Sequence, residues 1–64
     1  MIRVNGVDRT NENETVAELV ERLGIEARGV AVALDGEVVL RSNWTSTPVP
    51  DGAAVEIVTA VAGG

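Results

Sequence analysis

Sixty-four residues make one small domain, which buries only roughly 60% of its unfolded surface and leaves little depth for an enclosed active site. A hydrophobic share of 45% supports a folded core over disorder, and that core is aliphatic because Trp44 is the only aromatic residue. The chain has no Cys and no His, which removes the thiol nucleophile, the thiolate zinc site and the usual general base, and its net charge of −5 disfavours nucleic acid as a partner.

Met1 to Val4 alternates apolar and polar residues, and Asn5-Gly6 follows it. Both central positions of a type I′ turn need positive φ, so this pair predicts a hairpin, with Val7 to Thr10 returning antiparallel. The polar run Asn11 to Glu14 is a connector. The period then lengthens: Val16, Leu19, Val20 and Leu23 fall on one stripe of an amphipathic helix. Thr15 and Glu18 form a T-x-x-E capping box at its start, and Gly24 supplies a left-handed C′ position from which Ile25 folds back. So short a helix is not stable alone and must pack on a sheet.

Val30 to Leu34 alternates again, with valine and leucine on one face and Ala31 and Ala33 on the other. Asp35-Gly36 turns the chain into Val38-Val39-Leu40. Arg41 to Pro50 reads as irregular, since Pro48 and Pro50 lack ladder donors and Ser and Asn favour local turns. Asp51-Gly52 leads into the last strand, Ala53 to Thr59. The order β-β-α-β-β-β predicts an α+β domain, a mixed four- to five-stranded sheet with one short helix across one face. The division along the chain is a domain over 1–60 and a flexible tail over 61–64.

With Val55 and Ile57 toward the helix, Val58 and Ala60 lie on the other sheet face beside Ala31 and Ala33. A solvated sheet face is ordinarily polar. These four small residues are either scattered apolar surface or a shallow docking face next to the tail. Glu12, Glu14, Glu18 and Glu21 read as a solvated connector and outer helix face, with no metal site. Trp44 reads as packed over the core edge with its indole N–H on a carbonyl, the alternative being a partner anchor. Arg41 pairs either with Glu56 or with a partner. No apolar run reaches the roughly 20 residues that span a bilayer and no signal-peptide pattern opens the chain, so no membrane association and a cytoplasmic location are expected.

The sequence finishes on Gly63-Gly64 directly after an apolar strand. Val61, Ala62, Gly63 and Gly64 reach at most ~13 Å past the sheet, and residues without Cβ enter a narrow channel. That is what an enzyme needs to reach a terminal carboxylate. With neither Cys nor His in the chain, the Gly64 carboxylate is the one reactive group left.

From the opening MIRVNG, through ETVAELVERLG and VALDGEVVLRSNW, to DGAAVEIVTAVAGG, the chain resembles the ThiS family of sulfur carriers, within the ubiquitin-like β-grasp superfamily, along all 64 residues. The third stretch, with Arg41 and Trp44, is closer to that family than to the longer small subunit of molybdopterin synthase. The resemblance implies a protein that is not an enzyme and binds no cofactor of its own. It implies that a ThiF-type enzyme adenylates Gly64 with ATP and Mg2+, that a persulfide donor supplies sulfur to give a Gly64 thiocarboxylate, and that thiazole synthase (ThiG-type) takes that sulfur for thiamine. A free monomer is expected. Two other uses of the same tail stay open: delivery to another acceptor (molybdopterin, cysteine or a secondary metabolite) and ubiquitin-like attachment to target proteins.

Overall fold

The computed structural model of the chain describes residues 1–59. Strands β1 (Ile2–Val4) and β2 (Val7–Arg9) precede helix α1 (Val16–Arg22), and β3 (Val30–Leu34) and β4 (Glu37–Val39) precede a 3-10 helix (Arg41–Ser46) and β5 (Ala54–Thr59). The five strands form one sheet in the order β2-β1-β5-β3-β4. Only the central pair β1–β5 is parallel; the others are antiparallel. The sheet is mixed, with α1 across one face, as the element order predicts. This is the β-grasp arrangement.

Both tight turns form as their sequences require. Asn5 and Gly6 stand at φ 50° and 82°, and Asp35 and Gly36 at 48° and 87°. At α1 the Thr15 amide donates to Glu18 Oε1 at 2.8 Å, and the Glu18 amide donates to Thr15 Oγ1 at 3.3 Å, which closes the capping box. At the other end the Gly24 amide donates to the Glu21 carbonyl and the Ile25 amide to the Val20 carbonyl, the two bonds of a Schellman motif. Val16, Leu19 and Val20 are fully buried against Ile2, Val32 and Val55 from the sheet.

The segment from Arg41 to Pro50 is more ordered than its composition suggests. Residues 41–46 wind as a 3-10 helix, and the Thr47 hydroxyl donates to the Asn43 carbonyl at 2.6 Å near its end. Pro48 then lies opposite Thr15 in an isolated antiparallel bridge. The bonds fall on the flanking residues: the Val16 amide donates to the Thr47 carbonyl and the Val49 amide to the Glu14 carbonyl, each at 2.9 Å. Pro48 sits at the position of the ladder where no amide is needed, so its missing N–H costs nothing.

Glu14 also departs from expectation. It is buried rather than solvated, at 9% exposure. Arg22, on the last turn of α1, reaches back to it with Nη2 at 2.6 Å and Nε at 2.9 Å, and donates also to the Thr10 carbonyl at 3.0 Å. A charge-assisted pair of this geometry offsets the cost of burying the carboxylate and ties the connector to the helix. Glu12, Glu18 and Glu21 are exposed, as read. At the start of the sheet the Met1 ammonium lies 2.6 Å from Asp51 Oδ1 and, with Asn11, holds that carboxyl below its ordinary pKa. This pair is exposed and screened, so it contributes little to stability.

No helix among the described residues is long and apolar enough to cross a membrane.

Candidate functional site: an apolar sheet face at the end of β5

The antiparallel register of β3 and β5 decides which side chains share the face away from α1. Val32 pairs with Ile57, and both are buried under the helix. The neighbouring pairs therefore point outward: Ala31 with Val58, and Ala33 with Glu56. Val58 is 57% exposed, and Ala31 and Ala33 are partly covered. The structure thus brings together three of the four residues read as a docking face. The fourth, Ala60, and the tail residues Val61, Ala62, Gly63 and Gly64 lie outside the described residues.

A fifth apolar residue belongs to this face and was missed. Ala33 pairs on its other side with Val38 of β4, which is 71% exposed. The signal was present: a two-residue Asp35-Gly36 turn forces Leu34 opposite Glu37 and hence Ala33 opposite Val38. The outer surface is accordingly divided. Val58, Ala31, Ala33 and Val38 make an apolar area toward the end of β5, bordered by the exposed carboxylate of Glu56, which shares the face beside Ala33. Toward its beginning the surface is polar, where Arg3 Nε donates to Asp8 Oδ1 at 3.2 Å.

Neither Trp44 nor Arg41 belongs to this face. Trp44 is 4% exposed within the core, and its indole N–H donates to the Val39 carbonyl at 3.0 Å. That is the packed reading of the residue, and burial leaves it no surface on which to anchor a partner. Among the described residues Arg41 pairs with no carboxylate: its Nη2 donates to the Ala27 carbonyl at 2.6 Å and its guanidinium stacks 5.0 Å above the Trp44 ring. Glu56 points out from the opposite side of the sheet, which places the expected Arg41–Glu56 pair out of reach.

Nothing on the described surface resembles a catalytic constellation. Among the described residues no cluster of three acidic side chains is placed to hold a metal ion. What the arrangement offers is a shallow apolar surface, beside the point where β5 delivers the chain to its last five residues.

The family model described as the ThiS family matches residues 2–64. The sulfur carrier protein ThiS of Thermus thermophilus is 39% identical over 64 residues, covering the whole of both chains. A thiazole synthase of Paramagnetospirillum magneticum is 37% identical over 62 residues, which are 95% of this chain but 19% of that protein. The crystal structure of the thiamine biosynthesis protein ThiS from Geobacter metallireducens superposes with a TM-score of 0.87 at 37% identity, over 98% of this chain and 97% of that one. The β-grasp sheet, the matched length and the relatives agree: this chain belongs to the ThiS family, the sulfur carrier proteins of thiamine biosynthesis.

Proposed function

We propose that the reacting group of this carrier is the Gly64 carboxylate and that partner enzymes perform all of the chemistry on it. A ThiF-type enzyme holding ATP and Mg2+ directs the carboxylate onto the α-phosphate, displacing pyrophosphate and forming an acyl adenylate. A persulfide on a donor protein attacks the acyl carbon and expels AMP. A second thiol of the partner then cleaves the sulfur–sulfur bond, becomes part of a disulfide, and leaves the Gly64 thiocarboxylate. Thiazole synthase is the acceptor of that sulfur.

The observation that carries this reading is a family match that runs through Gly63-Gly64, with the Thermus thermophilus carrier aligned over its whole length. The composition suits it, because sulfur held on a backbone terminus needs no cysteine, and a chain without lysine offers no side-chain amine to the activated acyl group. The thiazole synthase whose sequence includes a segment similar to this chain favours that acceptor over the others. The reaction is assigned to the cytoplasm, and the free carrier is taken as a monomer.

Incubation with the adenylating enzyme, ATP, Mg2+ and a persulfide donor is expected to exchange one oxygen for sulfur, seen in the intact mass and mapped by fragmentation to Gly64. An unchanged mass, or sulfur at any other residue, refutes the proposal. The sheet face has its own test. Val58→Asp is expected to raise the KM of the adenylating enzyme for the carrier about tenfold or more, by placing a charge in an apolar contact. Its unfolding free energy should move by no more than about 0.5 kcal/mol, because the side chain is largely exposed. A wild-type KM would remove this face from the docking surface.

A further inference from the structure

Strand β1 ends at Val4, whereas its neighbour β5 runs on to Thr59. The Asn5 carboxamide continues the ladder beyond that end. The Asn5 amide donates to the Val55 carbonyl at 2.9 Å, so in a parallel ladder the next amide on that side, Ile57, is due to meet the Asn5 carbonyl. Asn5 has instead entered the left-handed region at φ 50°, and the main chain turns away. The side chain takes its place. Asn5 Oδ1 accepts from the Ile57 amide at 2.9 Å, and Asn5 Nδ2 donates to the Ile57 carbonyl at 3.0 Å.

One side chain therefore supplies the acceptor and the donor of a missing peptide. The comparison with the second turn shows why it is Asn. Asp35 stands at nearly the same φ, 48°, and its Oδ1 accepts from the Ala54 amide at 2.9 Å while its own amide donates to the Ala54 carbonyl at 2.8 Å. There only an acceptor is lacking, and a carboxylate provides it. At residue 5 a donor is lacking as well, and of the two side chains only the carboxamide carries one.

We propose that Asn5 is a positioning residue for the C-terminal carboxylate: by clamping both backbone groups of Ile57 beyond the end of β1, it fixes the second edge of β5 in the stretch from which the chain continues to Gly63-Gly64. β3 pairs with one edge of β5 as far as Thr59. On the other edge β1 has ended, and the Asn5 bonds, which lie in the plane of the sheet, resist a swing of β5 about its β3 ladder. Loss of the clamp lowers the fraction of carriers that present the tail along the productive line. The apparent affinity for the activating enzyme falls by that fraction, while a carrier that docks correctly reacts at the normal rate. The proposal rests on Gly64 as the reacting group.

The test is Asn5→Gly, which keeps the left-handed turn and removes the carboxamide, with Asn5→Asp, which keeps the acceptor and turns an oxygen toward the Ile57 carbonyl. Asp35→Gly is the matched control, because it removes one bond to β5 at the strand's other end. Amide exchange at Ile57 is expected to quicken about tenfold in Asn5→Gly and Asn5→Asp. In the same two variants the KM for carrier in the adenylation reaction should rise about five- to tenfold with kcat within about twofold, while Asp35→Gly keeps the wild-type KM. A wild-type KM in Asn5→Gly, or an equal rise in Asp35→Gly, overturns the positioning role and leaves Gly64 as the reacting group. Failure of the wild-type carrier to be adenylated at all refutes the Gly64 reading itself, and the tail-positioning role with it.

Discussion

A carrier shortened by Gly64, or lengthened by one residue after it, is expected to be folded and inert. On the proposed reading the Gly64 carboxylate has to be threaded into the activating enzyme, and each residue of an extended chain spans at most ~3.3–3.6 Å. Removing or adding one moves the carboxylate by about that distance along the line of entry. Adenylation needs the oxygen nucleophile near van der Waals distance from the α-phosphorus, and a misplacement of about 1 Å already costs about 10²-fold in rate. A displacement more than three times as large therefore puts turnover below detection. The fold is insulated from the change, because Gly64 lies seven residues beyond Ile57, the last buried residue among those described. Urea unfolding should give the wild-type midpoint for both variants, while ATP–pyrophosphate exchange with the adenylating enzyme should vanish for both. Gly64→Ala separates length from shape: it keeps the carboxylate at the same chain position and adds only a Cβ to what must enter a narrow channel. Exchange retained in the lengthened variant would show that the tail is not read in a single register.

Local chemistry made most of the scaffold legible. The hairpins follow from Asn5-Gly6 and Asp35-Gly36, and the helix follows from Thr15, Glu18 and Gly24 bracketing an apolar stripe, because each of these signals acts within a few residues. The outward placement of the apolar residues was legible for the same reason, since alternation along β3 and β5 decides that Ala31, Ala33 and Val58 point away from the helix. Val38 required one further step, from turn length to register. The features that escaped all depend on residues distant in sequence. Nothing in Asn11 to Glu14 foretells that Glu14 is buried; that follows from Arg22 reaching back from the far end of the helix. The second function of Asn5 escaped similarly, because its partner Ile57 lies across a parallel pairing that no turn specifies. The order in Arg41 to Ser46 depends on Trp44 having a core to enter, and composition reports only the polar residues around it.

Trp44→Ala should be the most destabilising single substitution in the chain. Truncating a buried Trp costs about 3–5 kcal/mol in lost burial and the cavity left behind. The stability available is small, about 3–10 kcal/mol for 64 residues at the usual ~0.05–0.15 kcal/mol per residue. Nor can the site readily collapse, since Trp44 is the one aromatic residue in a core otherwise filled by Val, Leu, Ile and Ala. Two further losses accompany it: the Val39 carbonyl gives up its indole donor, and the Arg41 guanidinium loses the ring beneath it. Trp44→Phe forfeits the same N–H but keeps an aromatic ring in the space, and should cost less than Trp44→Ala because a smaller cavity is left. Since the residue removed is the only indole fluorophore, unfolding has to be followed by far-UV circular dichroism. A loss below about 1 kcal/mol for the alanine variant would mean that the ring is not a keystone of the core. The activity readout separates burial from docking. At a temperature where Trp44→Ala is still folded, its KM for the adenylating enzyme should stay near the wild-type value, because the side chain presents almost no surface to a partner. A large rise in KM under those conditions would make Trp44 part of the docking surface, against its 4% exposure.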